Sequence, residues 1–231
     1  MIVPSRIEEA LARVRDPELD QSITELGFVE DLEIEGDSVR VRLRLPTYWC
    51  APNFAYLMAA DAKEAVGELD DVASVEIDLI DHFASSEINE GLVGEKTFEE
   101  TFPGDSIPGG LSDLRDLFRR KGFISRQEKL CRSLLASGVD DADLARLTVG
   151  DLPPNPETEL YLERRLELGL DTSPHATFLV TADGKPIPEG SLNEHRRFAR
   201  TVGVSIEANA GLCRALLETR YGIKPREEAT A

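Results

Sequence analysis

Residues 39–69 contain a strand that becomes a helix, with a cysteine at the join, and this stretch limits the folds open to the chain. Val39, Val41, Leu43 and Leu45 alternate with Arg40, Arg42 and Arg44, a period of two that predicts a half-buried strand. Phe54, Leu57, Met58, Ala62, Ala65, Val66 and Leu69 then recur at helical spacing, with Pro52 suited to a first helical turn, where its missing N–H is not needed. Cys50 falls at or beside the N-cap, where free backbone N–H groups and the helix dipole favour a thiolate. Two readings are open at this point. A cysteine between Trp49 and Ala51 can fill a gap in the core, or it can be a reactive or metal-binding thiol.

The remaining first-half signals extend this into a small domain. Ser5 and Glu8 fit a capping box ahead of the apolar face Ile7, Ala10, Leu11 and Val14, and Asp16-Pro17 ends that helix. Asp16-Pro17-Glu18-Leu19 predicts a rigid acidic turn, followed by a strand over 28–34 and a hairpin through Gly36-Asp37 into the strand described above. Val75, Ile77 and Leu79 predict a third strand. The order helix, strand, strand, helix, strand predicts an α+β domain of two layers, with helices on one face of a small sheet. Strand order does not follow from the pattern. Asp16, Glu18 and Thr47 each have a plain reading as turn or capping residues.

Several of these segments match a known family. Residues 7–19, with their Asp-Pro-Glu turn, and the step Leu26-Gly27-Phe28-Val29 resemble the opening of the MIP18-like (DUF59) domain of iron–sulfur cluster assembly factors. Pro46-Thr47-Tyr48-Trp49-Cys50-Ala51-Pro52 is similar to the Pro-Thr-Tyr-x-x-Cys-Pro segment of its PaaD-like branch, with Ala51 interposed between Cys50 and Pro52. Residues 71–77 resemble the family's closing strand. The resemblance covers about residues 5–81. It implies that Asp16, Glu18 and Thr47 gather with Cys50 at the helix N-terminus, where Cys50 is a metal ligand or transfer thiol for an iron–sulfur cluster or iron centre. One cysteine suits transient carriage better than storage, because a cluster normally takes more thiolates than one. Further ligands can come from a second subunit or a client metalloenzyme.

The 231 residues predict two domains: 1–82, a glycine- and proline-rich linker over 83–110, and a mostly helical domain over 111–231 that serves client or partner binding. In the second, Ser112, Ser125 with Glu128, and Asn155-Pro156 predict separate helix starts, and residues 140–147 a short helix. Residues 176–181 predict a strand, Ser191 another helix start and residues 206–221 a last helix. Cys131 and Cys213 have apolar helical neighbours and read as core.

Charge and cysteine spacing exclude several function classes. The formal net charge is −18, and residues 1–90 hold 21 acidic against 7 basic side chains, which argues against nucleic acid and anionic membranes. Three widely spaced cysteines form neither a disulfide framework nor a CxxC zinc signature. The opening residues lack the pattern of a secretory signal, so the expected compartment is the cytoplasm. The first reading is an accessory protein for assembly or delivery of an iron–sulfur cluster or other iron centre, with an oxygenase as the client guess from the PaaD-like branch. A metal-free maturation chaperone is the alternative. A third is a thiol enzyme in which Cys50 is activated by His82, His175 or His195.

Overall fold

The computed structural model describes residues 2–104 and 109–222. The chain is α+β and divides into two compact units, Met1–Leu114 with Asn209–Ala231, and Arg115–Ala208. The first unit starts with helix α1 (Pro4–Ala12), which buries Ile7, Ala10 and Leu11. Pro4, not Ser5, opens it: Val3 is the N-cap and no side chain caps the helix, so the expected capping box is not formed. Two short antiparallel strands, β1 (Arg15–Asp16) and β2 (Gln21–Ser22), then bracket the acidic turn, which closes with Asp20 at φ 53°.

The main sheet has three strands, β3 (Val29–Glu35), β4 (Ser38–Arg44) and β5 (Ser74–Ile80), in the order β3-β4-β5. Gly36, at φ 67°, turns β3 into an antiparallel hairpin with β4. Helix α2 (Pro52–Gly67) then crosses over, so β5 lies parallel to β4 with Arg44 paired to Ile80. Val39, Val41 and Leu43 are buried on the core face of β4. Its opposite face carries Arg40, Arg42 and Arg44, each set between acids on both neighbours: Glu33 and Glu76, Asp31 and Asp78, Glu30 and Asp81. Pairs this exposed each add about 0–1 kcal/mol at most, so burial of the apolar face carries the stability.

Residues 83–110, expected as a linker, contain two helices, α3 (Ser85–Val93) and α4 (Phe98–Thr101), whose Ile88, Leu92 and Phe98 join the first unit's core. Thr97 and Glu100 form a capping box for α4. Residues 105–108 of that stretch lie outside the described residues.

Helix α5 (Gly110–Ala136) is one element where two were expected. Ser112, Ser125 and Glu128 lie inside it, and Ser125 and Glu128 are buried. In the second unit α6 (Asp141–Leu144) is shorter than predicted and capped by Asp140, while α7 (Pro156–Glu167) starts at Asn155 as predicted, with Asn155 Oδ1 accepting from the Thr158 amide. Residues 176–181 make only two isolated bridges, Thr148 with Thr177 and Val180 with Pro186. Side chains take three of the carbonyls: Tyr161 and Arg165 donate to Phe178, Arg165 also to Thr177, and Gln127 to Phe178 and Val180, while the carbonyls of Ala176 and Leu179 accept from the amides of Val149 and Ile187. The expected strand is therefore held by a buried polar cluster around Tyr161, without a partner strand.

The last two predicted helices are likewise one, α8 (Leu192–Tyr221). From Asn209 onward it belongs to the first unit, where Ala210 and Leu217 enter the core formed by α1, α2 and the sheet. Leu217 is 0 % exposed. Leu217→Ala is expected to destabilise the protein by about 2–5 kcal/mol, the range for deleting a buried leucine side chain. Chemical denaturation of the full chain checks this. A change below about 0.5 kcal/mol, the usual range for surface positions, would show that α8 is not part of this core.

Candidate functional site

The acidic turn, the β4–α2 connection and the end of β5 supply the side chains of the candidate site. Because β4 and β5 run parallel, their C-terminal ends lie side by side, and the segments that follow Arg44 and Ile80 emerge together. Cys50 comes from the first of these and His82 from the second. Open sheets of this kind place ligands at the carboxyl ends of parallel strands.

His82 is one of the three histidines offered above as an activating base for Cys50. It is buried, its Nε2 donates to the Cys50 carbonyl at 2.7 Å, and its Nδ1 accepts from the Ala84 amide at 3.2 Å. These partners define the neutral tautomer, and burial lowers the ring's pKa further. Both nitrogens are committed to backbone, so His82 holds the loop that carries Cys50 and is not aligned as a base for its thiol. His175 and His195, the other candidates for that role, belong to the second unit, where His195 Nε2 pairs with Gln127 Oε1 at 2.9 Å.

Cys50 stands just before α2, whose N-cap is Ala51 with no side-chain cap. Thr47, half-buried on the same connection, therefore does not cap this helix. Asn53 Oδ1 instead accepts from the Phe54 amide at 3.0 Å. The expectation of an easily formed thiolate is overturned. Burial pushes the Cys50 thiol up to about 12, helped by the nearby acidic groups Asp16, Cys213 and Glu18, and the hydrogen bond from Ala51 only partly opposes this. One N-terminal dipole does not offset desolvation next to three acidic groups. Cys50 is nonetheless only partly buried, and Tyr48, Trp49 and Phe83 form an exposed aromatic rim beside it. Tyr48 meets Trp49 edge-on at 5.3 Å and Phe83 at 6.3 Å, and the Phe83 amide donates to the Tyr48 carbonyl at 2.9 Å.

Asp16 does what its plain reading required: Oδ1 accepts from the amides of Glu18 and Leu19 at 2.8 and 2.9 Å and holds the turn. Its charge also reaches the Cys50 thiol. The structure thus brings Asp16, Glu18 and Cys50 within electrostatic range of one another. It adds residues that the sequence reading missed. Asn209 donates to Glu18 Oε1 at 3.0 Å, Arg214 to Gln21 Oε1 at 2.6 Å and Arg220 to the Pro46 carbonyl at 2.9 Å. Cys213, expected in a core, is only partly buried and feels the charges of Asp16 and Glu18. Cys131, by contrast, is 1 % exposed in the second unit's core. The spacing of Asn209, Cys213, Leu217 and Arg220 does mark one helix face, but nothing in the sequence tied that face to residue 16.

Among the described residues no three His, Cys, Asp or Glu side chains converge on a point that could hold a metal ion. The donor set is therefore too small to enclose a cluster, although it has the thiol chemistry to hold part of one.

Burial raises Asp16 from 3.8 to about 6, against the hydrogen bonds from Leu19 and Glu18. The folded state then binds the proton more tightly than the unfolded state, so Asp16 lowers stability as pH rises from about 4 to about 6, and the cost is complete above that window. Asp16→Asn keeps the accepting oxygen without the charge. It is expected to be more stable than the wild type at neutral pH by about 2–3 kcal/mol, at 1.36 kcal/mol per pKa unit, with the difference vanishing below about pH 4. Thermal melts at several pH values check it, and an Asp16→Asn protein less stable at pH 7 would contradict this electrostatic account.

Comparison with known proteins places this geometry. The family described as "Iron-sulfur cluster assembly protein" matches residues 4–78. An uncharacterized protein of Methanocaldococcus jannaschii is 33 % identical over 93 residues, which cover 40 % of this chain and 96 % of that protein. An iron–sulfur cluster carrier protein of Mycobacterium leprae is 36 % identical over 150 residues, 61 % of this chain but only 38 % of the carrier. The matched segment runs from the start of α1 into β5 and contains Asp16, Glu18, Thr47 and Cys50. The chain belongs to the family of iron–sulfur cluster assembly proteins.

Proposed function

We propose that this protein is an accessory factor that takes up an iron–sulfur cluster, or iron destined for one, at Cys50 and delivers it to a client enzyme. Membership of the assembly family supports a general role in iron–sulfur cluster handling. The observation that carries the finer reading is the position of Cys50: a partly exposed thiol at the carboxyl end of a parallel strand pair, beside Asp16 and Glu18 and rimmed by exposed aromatic side chains.

The thiolate supplies the iron bond, and the scarcity of protein ligands favours release over storage. Asp16 holds the turn, and its carboxylate, with that of Glu18, favours cations near the thiol. Thr47 stays a candidate contributor from the same connection. Tyr48, Trp49 and Phe83 offer an apolar surface beside the thiol for an assembly factor or client metalloenzyme. The oxygenase client belongs to this proposal, as do a cytoplasmic setting and a client-binding role for the helical second unit. Among the described residues no helix is long and apolar enough to cross a membrane.

A metal-free chaperone is the second reading, favoured by the burial that holds the Cys50 thiol in its protonated form. Anaerobic loading with iron and sulfide separates the two. Trp49 is the single tryptophan, 75 % exposed and adjacent to Cys50, so a cluster bound there quenches the protein's tryptophan emission. Wild-type protein is expected to gain iron and visible charge-transfer absorption with loss of Trp49 fluorescence, and Cys50→Ser to show none of these. If the wild type takes up no iron, the carrier reading fails and the chaperone reading stands.

A further inference from the structure

We infer that the outer edge of β5, beside Val75 and Ile77, is a docking groove for an extended, basic segment of a partner protein, which pairs with it as a fourth strand. The inference does not rest on the carrier reading, because the groove lies at the other end of the sheet from Cys50. Val75 pairs with Val39 near the start of β4, whereas Cys50 lies beyond its last residue, Arg44.

Asn89 shows which way the edge faces. Its side chain takes both backbone groups of Leu79, accepting from the amide at 2.9 Å and donating to the carbonyl at 3.1 Å, as a neighbouring strand would. Peptide groups alternate along a strand, so the amides and carbonyls of Val75 and Ile77 point the same way as those of Leu79, away from β4. Among the described residues β5 is the last strand on this side, and no backbone group from outside the sheet bonds to Val75 or Ile77. A groove of about 420 Å³ opens along this stretch, and its lining includes Val75, Glu76 and Ile77 with Lys63, Leu92 and Val93 from α2 and α3. Lys63 donates to the Leu92 carbonyl at 2.6 Å and fixes the end of α3 beside the groove, where Val93 is 72 % exposed. The opposite edge strand is guarded. β3 has a register break between Val29 and Asp31 and four acids in its 7 residues, whereas β5 keeps an unbroken register with β4 from Ser74 to Ile80.

Charge on the open face of the sheet selects the occupant. Arg40 stands between Glu33 on β3 and Glu76 on β5, and Arg42 between Asp31 and Asp78, so the rows read acid, base, acid across the sheet. A basic row beyond Glu76 continues the alternation. The β5 of a second copy would instead set its own Glu76 and Asp78 against the same acids. On the other face an added strand meets Leu92 and Val93, which suit apolar side chains. The occupant therefore alternates lysine or arginine with apolar residues, and its backbone bonds the edge. The 21 acidic against 7 basic side chains of residues 1–90 steer such a segment toward this unit.

Hydrogen exchange of the full-length protein, resolved by residue, tests the edge. In the free protein the amides of Val75 and Ile77 are expected to exchange about tenfold or more faster than those of Glu76 and Leu79. An end-blocked peptide of three lysine–valine repeats is expected to slow both amides to the rate of Glu76. Its counterpart with glutamate for lysine is expected to bind about tenfold more weakly, as is the lysine peptide to Glu76→Lys of unchanged thermal midpoint. Methylating the peptide's lysine amides or its valine amides is expected to abolish binding in one case and spare it in the other, since only every second amide faces β5. Val75 and Ile77 amides as slow as Glu76 in the free protein show a covered edge, and slowing that grows with protein concentration assigns it to a second copy. Either result overturns the proposal. So does a lysine peptide that leaves these two amides unchanged, or that binds Glu76→Lys as tightly as the wild type.

Discussion

Everything in the first unit depends on β4 being the middle strand. Burial of Val39, Val41 and Leu43 requires cover on one face, and the two edges of β4 take β3 antiparallel and β5 parallel. A parallel neighbour cannot be reached by a tight turn, so the chain must cross over through α2. That crossover creates the connection on which Cys50 sits, and the parallel register brings the segment after β5 beside it. His82 then fastens the two segments together through the Cys50 carbonyl. The site is a consequence of strand pairing, and the loop alone would not produce it.

Local signals were readable in the sequence where the backbone rule is local. The alternation over 39–45, the proline at the start of α2 and the Asn155 cap each act within a few residues, and each predicted its element. Failures occurred where tertiary contacts outweighed a local preference. Ser125 and Glu128 form a good helix start by pattern, yet both are buried inside α5, where Glu128 pairs with Arg196. Residues 176–181 have a strand's composition, but the carbonyls of Thr177, Phe178 and Val180 are satisfied by Tyr161, Arg165 and Gln127. The glycines and prolines of 83–110 obscured two helices that bury Ile88, Leu92 and Phe98.

The candidate site was half readable for the same reason. Asp16, Glu18, Thr47 and Cys50 all lie on the matched segment, whereas Asn209, Cys213 and Arg220 reach it across more than 150 residues of chain. The thiol's environment was also misjudged, since dipole arguments consider only the helix that follows Cys50. Burial and three neighbouring acidic groups dominate, so the free protein keeps its thiol protonated. A carrier gains from this arrangement: iron must displace the thiol's proton, so metal binding is coupled to proton release.

The central claim is that Cys50, at the join of β4 and α2, is the thiol at which this protein takes up iron. Mass-resolved thiol alkylation of the full chain, before and after anaerobic loading with iron and sulfide, tests it most directly. The account predicts that Cys50 is labelled in the free protein and protected after loading, with Cys131 unlabelled in either state. A Cys50 labelled to the same extent before and after loading would contradict it.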